Sequence, residues 1–335
     1  MIKNYRITNK SFWKGRVDNP NDTASLRWHQ VIEVFNLNIP NETKINKSKK
    51  NFCFIGFECN EGVIRNLGRE GTEKAPDYLR KELANLSWND ELNINLYDAG
   101  NIFCANNDLE EAQYNLSEAV IKVLFLGMFP IVLGGGHDIA FGNYRGVDGF
   151  IEKQQSKKKL GIINFDAHFD LRPYKSTKGS SGTMFLQIAD LCKKENKPFA
   201  YYCIGIQTYA NTKRLFETAK ELNVKFELAK DIKEHNLTDI KSNINDFIAE
   251  NDYIYMTVCS DVFSSAYAPG VSAPQPFGLM PEISLELIKH VAASNKVISF
   301  DIAEISPRFD EDNRTAKLGA IIIYAIINTL AGNKI

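Results

Sequence analysis

Short apolar runs alternate with amphipathic segments along most of the chain from Asn51 onward. The runs Phe52–Phe57, Leu92–Tyr97, Phe129–Leu133, Leu160–Phe165, Ala200–Ile204, Lys225–Leu228, Tyr253–Val258 and Val297–Phe300 have the length and composition of strands. Between them, helical spacing of apolar positions predicts helices over Ala75–Leu86, Leu109–Leu126, Thr212–Leu222, Leu237–Ala249, Ser284–Ser294 and Arg314–Ala331. Strands alternating with helices of this length predict βαβ units and a largely parallel sheet. Eight strands would suffice for a closed barrel or an open sheet. No barrel period or internal repeat is present, which favours an open three-layer α/β/α sandwich. Residues 1–50 are polar, rich in Asn and Lys, and weakly periodic apart from a short helix expected near Ser25–Phe35. They are expected to form an N-terminal extension packed on a single domain spanning 51–335.

Composition narrows the function classes. With Lys+Arg 40 against Asp+Glu 41 the formal net charge is −1, which favours neither nucleic acid nor an anionic membrane surface. The basic cluster Lys47-Ser48-Lys49-Lys50 reads as a solvated approach to the first core strand. The six cysteines are scattered without a C-x-x-C pair, and the first residues carry no apolar secretory core. A reduced, cytoplasmic setting is the expectation, and no stretch is expected to serve as a membrane span.

Four strand ends carry chemistry. Asp166-Ala167-His168-Phe169-Asp170 follows a buried run, and alternate residues of an extended segment point to one side. Its two carboxylates and imidazole therefore converge where open α/β sheets place ligands. Oxygen and nitrogen donors in this combination suit Mn²⁺ and similar divalent ions. Gly134-Gly135-Gly136-His137-Asp138 lacks the lysine and Ser/Thr of a phosphate-binding loop, so its histidine fits a metal ligand better. In Cys259-Ser260-Asp261 the first and third residues share a face, and the run from Asp301 to Pro307 puts Asp301 and Glu304 near the same rim. Taken singly these residues have ordinary roles: a structural histidine, a small buried cysteine, a capping carboxylate. His29, His235 and His290 lack evident partners and are read as structural. The constellation is more specific than its parts.

That constellation resembles the ureohydrolase (arginase/agmatinase) superfamily, whose G-G-x-H, D-A-H-x-D, S-x-D-x-D and D-x-x-E-x-x-P strand ends are matched by Gly134–Asp138, Asp166–Asp170, Thr257–Asp261 and Asp301–Pro307. Asn66-Leu67-Gly68-Arg69 ahead of Ala75-Pro76, Asp170-Leu171-Arg172-Pro173 with Ser180-Ser181-Gly182-Thr183, and the run from Ala268 to Pro274 are similar to its formimidoylglutamase branch. The resemblance implies an arginase-like sandwich around a mainly parallel eight-stranded sheet. It implies hydrolysis of a linear amidine, N-formimidoyl-L-glutamate, to L-glutamate and formamide in histidine breakdown. Attack would come from hydroxide on two Mn²⁺. It puts His137, Asp166, Asp170 and the Cys259 position on one metal, and His168, Asp166, the Cys259 position and Asp261 on the other. Glu304 would hold the formimidoyl nitrogen, Asp170 would carry a proton to the leaving amine, and Ser181, Arg172 and Arg69 would bind substrate. For the two arginines, surface ion pairing is the competing role. A homo-oligomer is a further implication.

Two departures from the pattern stand out. Phe185 occupies the place of an arginase histidine, which counts against arginine as substrate. Cys259 stands where the superfamily has a bridging aspartate, and a thiolate favours softer ions such as Zn²⁺. The outcomes left open are a mixed or weakened second site, a single-metal protein, another amidine or guanidine hydrolase, or a non-catalytic relative depleted of metal.

Overall fold

The computed structural model describes residues 1–39, 43–176 and 178–332; the remaining residues of the expected extension and domain lie outside that description. Its strands are β1 (Tyr5–Arg6), β2 (Glu33–Val34), β3 (Lys50–Glu58), β4 (Ile94–Phe103), β5 (Phe129–Leu133), β6 (Leu160–Phe165), β7 (Ala200–Ile206), β8 (Lys225–Leu228), β9 (Tyr253–Cys259) and β10 (Val297–Ala303). Its helices are α1 (Trp28–Val31), α2 (Glu61–Arg65), α3 (Ala75–Ala84), α4 (Leu109–Phe125), α5 (Ile139–Lys153), α6 (Met184–Lys194), α7 (Lys213–Glu221), α8 (Leu237–Ala249), α9 (Pro281–Ala292) and α10 (Arg314–Ala331). The strands form one sheet in the order β1-β4-β3-β5-β10-β9-β6-β7-β8, with β2 beside β4. From β3 to β10 every pairing is parallel, so all eight long strands end on one edge.

The continuous apolar runs feed two separate helical layers because side chains alternate across a strand. Phe52 and Phe54 of β3 join the layer built with α3, α8, α9 and α10; Cys53, Ile55 and Phe57 join the one built with α4 to α7. Local signals agree with these helices. The Asp108 side chain accepts from Glu111 N at the start of α4, and prolines stand in the first turns of α3 and α9.

The three-layer expectation holds, with three differences. The sheet has ten strands rather than eight, because β1 pairs antiparallel with β4 and β2 pairs with it in parallel. The short helix expected near Ser25–Phe35 is a single turn, α1, running directly into β2. Helices α2, α5 and α6 lie outside the segments expected to be helical. Glycines at 142, 146 and 149 depress the helix propensity of α5, and packing against α4 overrides it. A Cβ on Gly146 would lie 2.5 Å from Val120 Cβ, so the bare backbone is what lets the two helices approach. At 18 residues, α10 is long and apolar enough to cross a membrane, contrary to expectation, but 56% of it is buried inside the protein.

Strand β4 runs past Tyr97 through Asp98 and Asn101, both fully enclosed. The buried Asp98 carboxylate accepts from Arg80 Nε at 2.7 Å and Nη2 at 3.0 Å, Trp13 Nε1 at 2.6 Å, Thr8 Oγ1 at 2.8 Å and the Gly100 amide at 2.9 Å. Arg80 also donates to Asn101 Oδ1 at 2.6 Å. This network fastens the N-terminal segment and α3 to the sheet. Asp98→Asn, which strands the Arg80 charge, should lower unfolding free energy by about 3–5 kcal/mol. Removing the exposed Lys241–Glu286 pair should cost under ~1 kcal/mol. Urea midpoints at constant slope would measure both.

Candidate active site

Adjacent strands β5, β10, β9 and β6 deliver the chemistry-bearing residues to one edge of the sheet. His137 follows β5, Glu304 follows β10, Cys259 ends β9 with Asp261 just beyond, and Asp166, His168 and Asp170 follow β6. The Gly134–Gly136 turn couples two of these ends. Gly134 N donates to Ile302 O at 2.9 Å, and Glu304 N donates to Gly135 O at 3.0 Å. Gly135 has φ +82°, a region side-chain-bearing residues rarely enter, and its ideal Cβ would lie 2.8 Å from Phe57 O.

Asp166 is the hub. Its Oδ2 lies 2.9 Å from His137 Nδ1 and accepts from Asn164 Nδ2 at 3.1 Å. Its Oδ1 accepts from the His168 amide at 2.7 Å and lies 3.5 Å from His168 Nδ1. Asp170 Oδ2 is 3.1 Å from His137 Nδ1, and Asp261 Oδ2 is 3.1 Å from His168 Nδ1. Two donor groups result, each with its ligand atoms within 4.8 Å of one another: His137, Asp166 and Cys259, and Asp166, His168 and Asp261. They share Asp166. In a third acidic group, Asp148, Glu152 and Glu195, each carboxylate is ion-paired with Lys197, at 2.7, 2.6 and 2.8 Å.

Burial opposes charge on both imidazoles, yet the facing carboxylates outweigh it and hold His137 and His168 well above the usual histidine range. Asp166 is likewise buried, but hydrogen bonds from the two histidines hold it well below the usual carboxylate range. Burial, then the charge of Asp166, pushes Asp170 up to about 6; burial pushes Glu304 up to about 8 and raises Asp261. The edge thus concentrates negative charge around two imidazoles, and the chemistry of the two donor groups fits divalent cations.

These residues open into a cavity of about 220 Å³ lined by Asn66, Leu67, Gly68, His137, His168, Asp170, Arg172, Ser181, Cys259, Asp261, Ser272, Ala273 and Glu304. A larger cleft of about 600 Å³ lies between the N-terminus and α4, without converging metal donors. Of the candidates from sequence, Asp166 and Asp301 lie buried behind the wall, and Arg69 is turned away from it. It is exposed, donates to Val271 O and, at 3.1 Å, Ser272 O, and stacks 4.2 Å from the Phe309 ring centroid. It ties two wall loops together instead. Arg172 is at the wall, and among the described residues no carboxylate pairs with its guanidinium. An ideal Cβ on Gly182 would lie 3.0 Å from Arg172 Cδ and 2.7 Å from Asn66 Oδ1, so this glycine leaves the space both side chains fill.

Supporting residues escaped the sequence reading. Thr257 Oγ1 lies 3.0 Å from His137 Nε2 and donates to Asp301, which also accepts from Tyr255 and Asn143. Asp301, a rim candidate from sequence, is therefore a buried orienter beneath His137. Phe185 meets His137 edge to face at 5.6 Å and stacks on Tyr201 at 4.3 Å. Only the strand-end position of Thr257 hinted at its role. His29 bonds Ala84 O and His290 bonds Asn245, both away from the site.

The chain belongs to the arginase family, whose model matches residues 50–328. It is 51% identical over 330 residues to the formimidoylglutamase of Clostridium tetani, covering 98% of this chain and 97% of that one. Identity to the Fusobacterium nucleatum formimidoylglutamase is 45% over 94% of this chain and 96% of that one. Among solved structures, formimidoylglutamase from Bacillus subtilis superposes with TM-score 0.78 at 22% identity, covering 96% and 97% of the two chains, which shows the fold. The Trypanosoma cruzi formiminoglutamase with Mn²⁺₂ gives TM-score 0.74 at 26% identity, covering 87% and 96%.

Strain marks this edge. Asp170 (φ +50°), Glu304 (φ +64°) and Leu67 (φ +60°) are left-handed without being glycine. Leu67 closes α2: its amide donates to Ile64 O at 2.9 Å and that of Gly68 to Val63 O at 2.8 Å. A glycine would be relaxed in this cap, whereas the Leu67 side chain is 95% exposed at the cavity mouth. Leu67→Gly should therefore raise unfolding free energy by about 1 kcal/mol, seen as a higher urea midpoint.

Proposed function

We propose that this chain hydrolyses N-formimidoyl-L-glutamate to L-glutamate and formamide with the help of two divalent cations, Mn²⁺ by preference in at least one position. The observation that carries the reading is one cavity backed by two donor groups that share Asp166 and walled by Arg172, which no carboxylate pairs among the described residues, in a chain 51% identical over 98% of its length to a formimidoylglutamase. His137, Asp166, Asp170 and Cys259 would hold one cation, and Asp166, His168 and Asp261 the other. Bound there, the cations supply a nucleophile at neutral pH by lowering the pKa of water, and they polarise the amidine.

The protein's own part is placement and proton handling. Glu304, fixed by the His137 amide at 2.9 Å, presents its other carboxylate oxygen to the formimidoyl nitrogen. Arg172 holds a substrate carboxylate through paired N–H donors, with the Ser181 hydroxyl beside it. Asp170 faces the cavity and carries the proton from the attacking water to the departing glutamate nitrogen. The water oxygen ends in formamide, and the bond between the formimidoyl carbon and glutamate nitrogen breaks. The apolar Phe185 against His137 carries no proton, which leaves Asp170 as the carrier in this reading.

Metal-reconstituted protein should release formamide and glutamate in equal amounts and release no urea from arginine or agmatine. Chelation should abolish turnover and lower the melting temperature, because the ions bind only the folded state. Absence of turnover with every divalent metal would leave a non-catalytic relative. Asp170→Asn should reduce kcat by about 10²–10⁴-fold. Arg172→Ala should mainly raise KM, by on the order of 10²-fold for a lost charged hydrogen bond; steady-state kinetics separate the two.

A further inference from the structure

The two halves of the centre differ in one atom type, and from this we infer that they hold unlike metals. The His137–Asp166–Cys259 half takes a soft or borderline cation of the zinc or cadmium kind through a Cys259 thiolate, while the Asp166–His168–Asp261 half takes a hard ion such as Mn²⁺. The inference deepens the metal-dependent reading above and rests on it.

Three observations converge on Cys259. Its sulfur lies within 4.8 Å of ligand atoms of both His137 and Asp166 and belongs to that group alone; the other half offers nitrogen and oxygen only. The residue lines the cavity beside His137, His168, Asp170 and Asp261, so an ion entering there can reach it. Buried though it is, it joins neither of the two apolar layers, and the carboxylates of Asp166, Asp261, Glu304 and Asp170 lie near it. Cys53, by contrast, lies in the apolar layer with Ile55 and Phe57. Sulfur ligands select zinc-like ions by softness, and carboxylate and imidazole donors accept Mn²⁺. Metal binding at Cys259 forms a metal–sulfur bond and releases the thiol proton to solvent.

The test is binding rather than turnover. Full-length protein stripped by chelator is titrated with Co²⁺, which reports sulfur ligation by a near-ultraviolet sulfur-to-cobalt charge-transfer band. The band should saturate at one equivalent and vanish in Cys259→Ser, while that variant still binds one Mn²⁺ by electron paramagnetic resonance. In Cys259→Asp the preference of this half for Cd²⁺ over Mn²⁺ should fall on the order of tenfold or more. A measurement on the unaltered protein guards against a misfolded variant: Cd²⁺ should protect the Cys259 peptide from alkylation, read by mass spectrometry. Cobalt bound without the band, a band surviving Cys259→Ser, or alkylation of Cys259 undiminished by Cd²⁺ would each overturn the inference. Failure of the unaltered protein to bind any divalent ion would instead sink the metal-dependent reading, and this inference with it.

Discussion

Everything at the functional edge depends on keeping one fully buried carboxylate ionised. Moving such a group out of water costs several kcal/mol unless partners repay it. Asp166 is repaid by two imidazoles, one backbone amide and Asn164. Those partners come from β6 and from the end of β5, so the register across β10 and β9, which lie between those strands, has to be right for the carboxylate to be tolerated at all. The same arrangement leaves Asp166 shared between two donor groups. A site built around a common charge is thus a consequence of how that charge is buried.

Stability and function are divided across the sheet. Near β4, Asp98 and Arg80 form a closed network in which carboxylate and guanidinium satisfy each other, with Trp13 and Thr8 adding further donors. On the β6–β9–β10 edge the balance is different. Asp170, Asp261 and Glu304 are crowded together, and Asp170 and Glu304 sit in left-handed backbone conformations. Charge crowding and backbone strain of this kind persist only where surrounding structure over-determines them. The glycine turn at 134–136 and the paired strands supply that constraint.

Much of this was readable from the chain. Strand ends such as Phe129–Leu133 and Leu160–Phe165 are bounded by glycine or aspartate, and alternation put Asp166, His168 and Asp170 on one side. The misses have physical causes. Helix α5 was hidden because its glycines serve contact with α4 rather than helix propensity. The expected strand Leu92–Tyr97 stops short of Asp98, which β4 contains, because a charged residue in the chain reads as a surface residue, and its partner Arg80 lies on another element. Thr257 and Asp301 act only through His137, and no local pattern marks a residue whose role is to orient a distant one.

The sequence by itself determined which donors exist and that they lie at strand ends, because periodicity and turn chemistry are local properties. It also determined that one donor is sulfur. Strand order was decided only by tertiary structure, since β5, β10, β9 and β6 become neighbours through crossover connections that no local signal encodes. That order gathers the donor groups around Asp166, sets the Cys259 sulfur near His137, and turns Arg69 onto the wall loops while leaving Arg172 at the cavity wall.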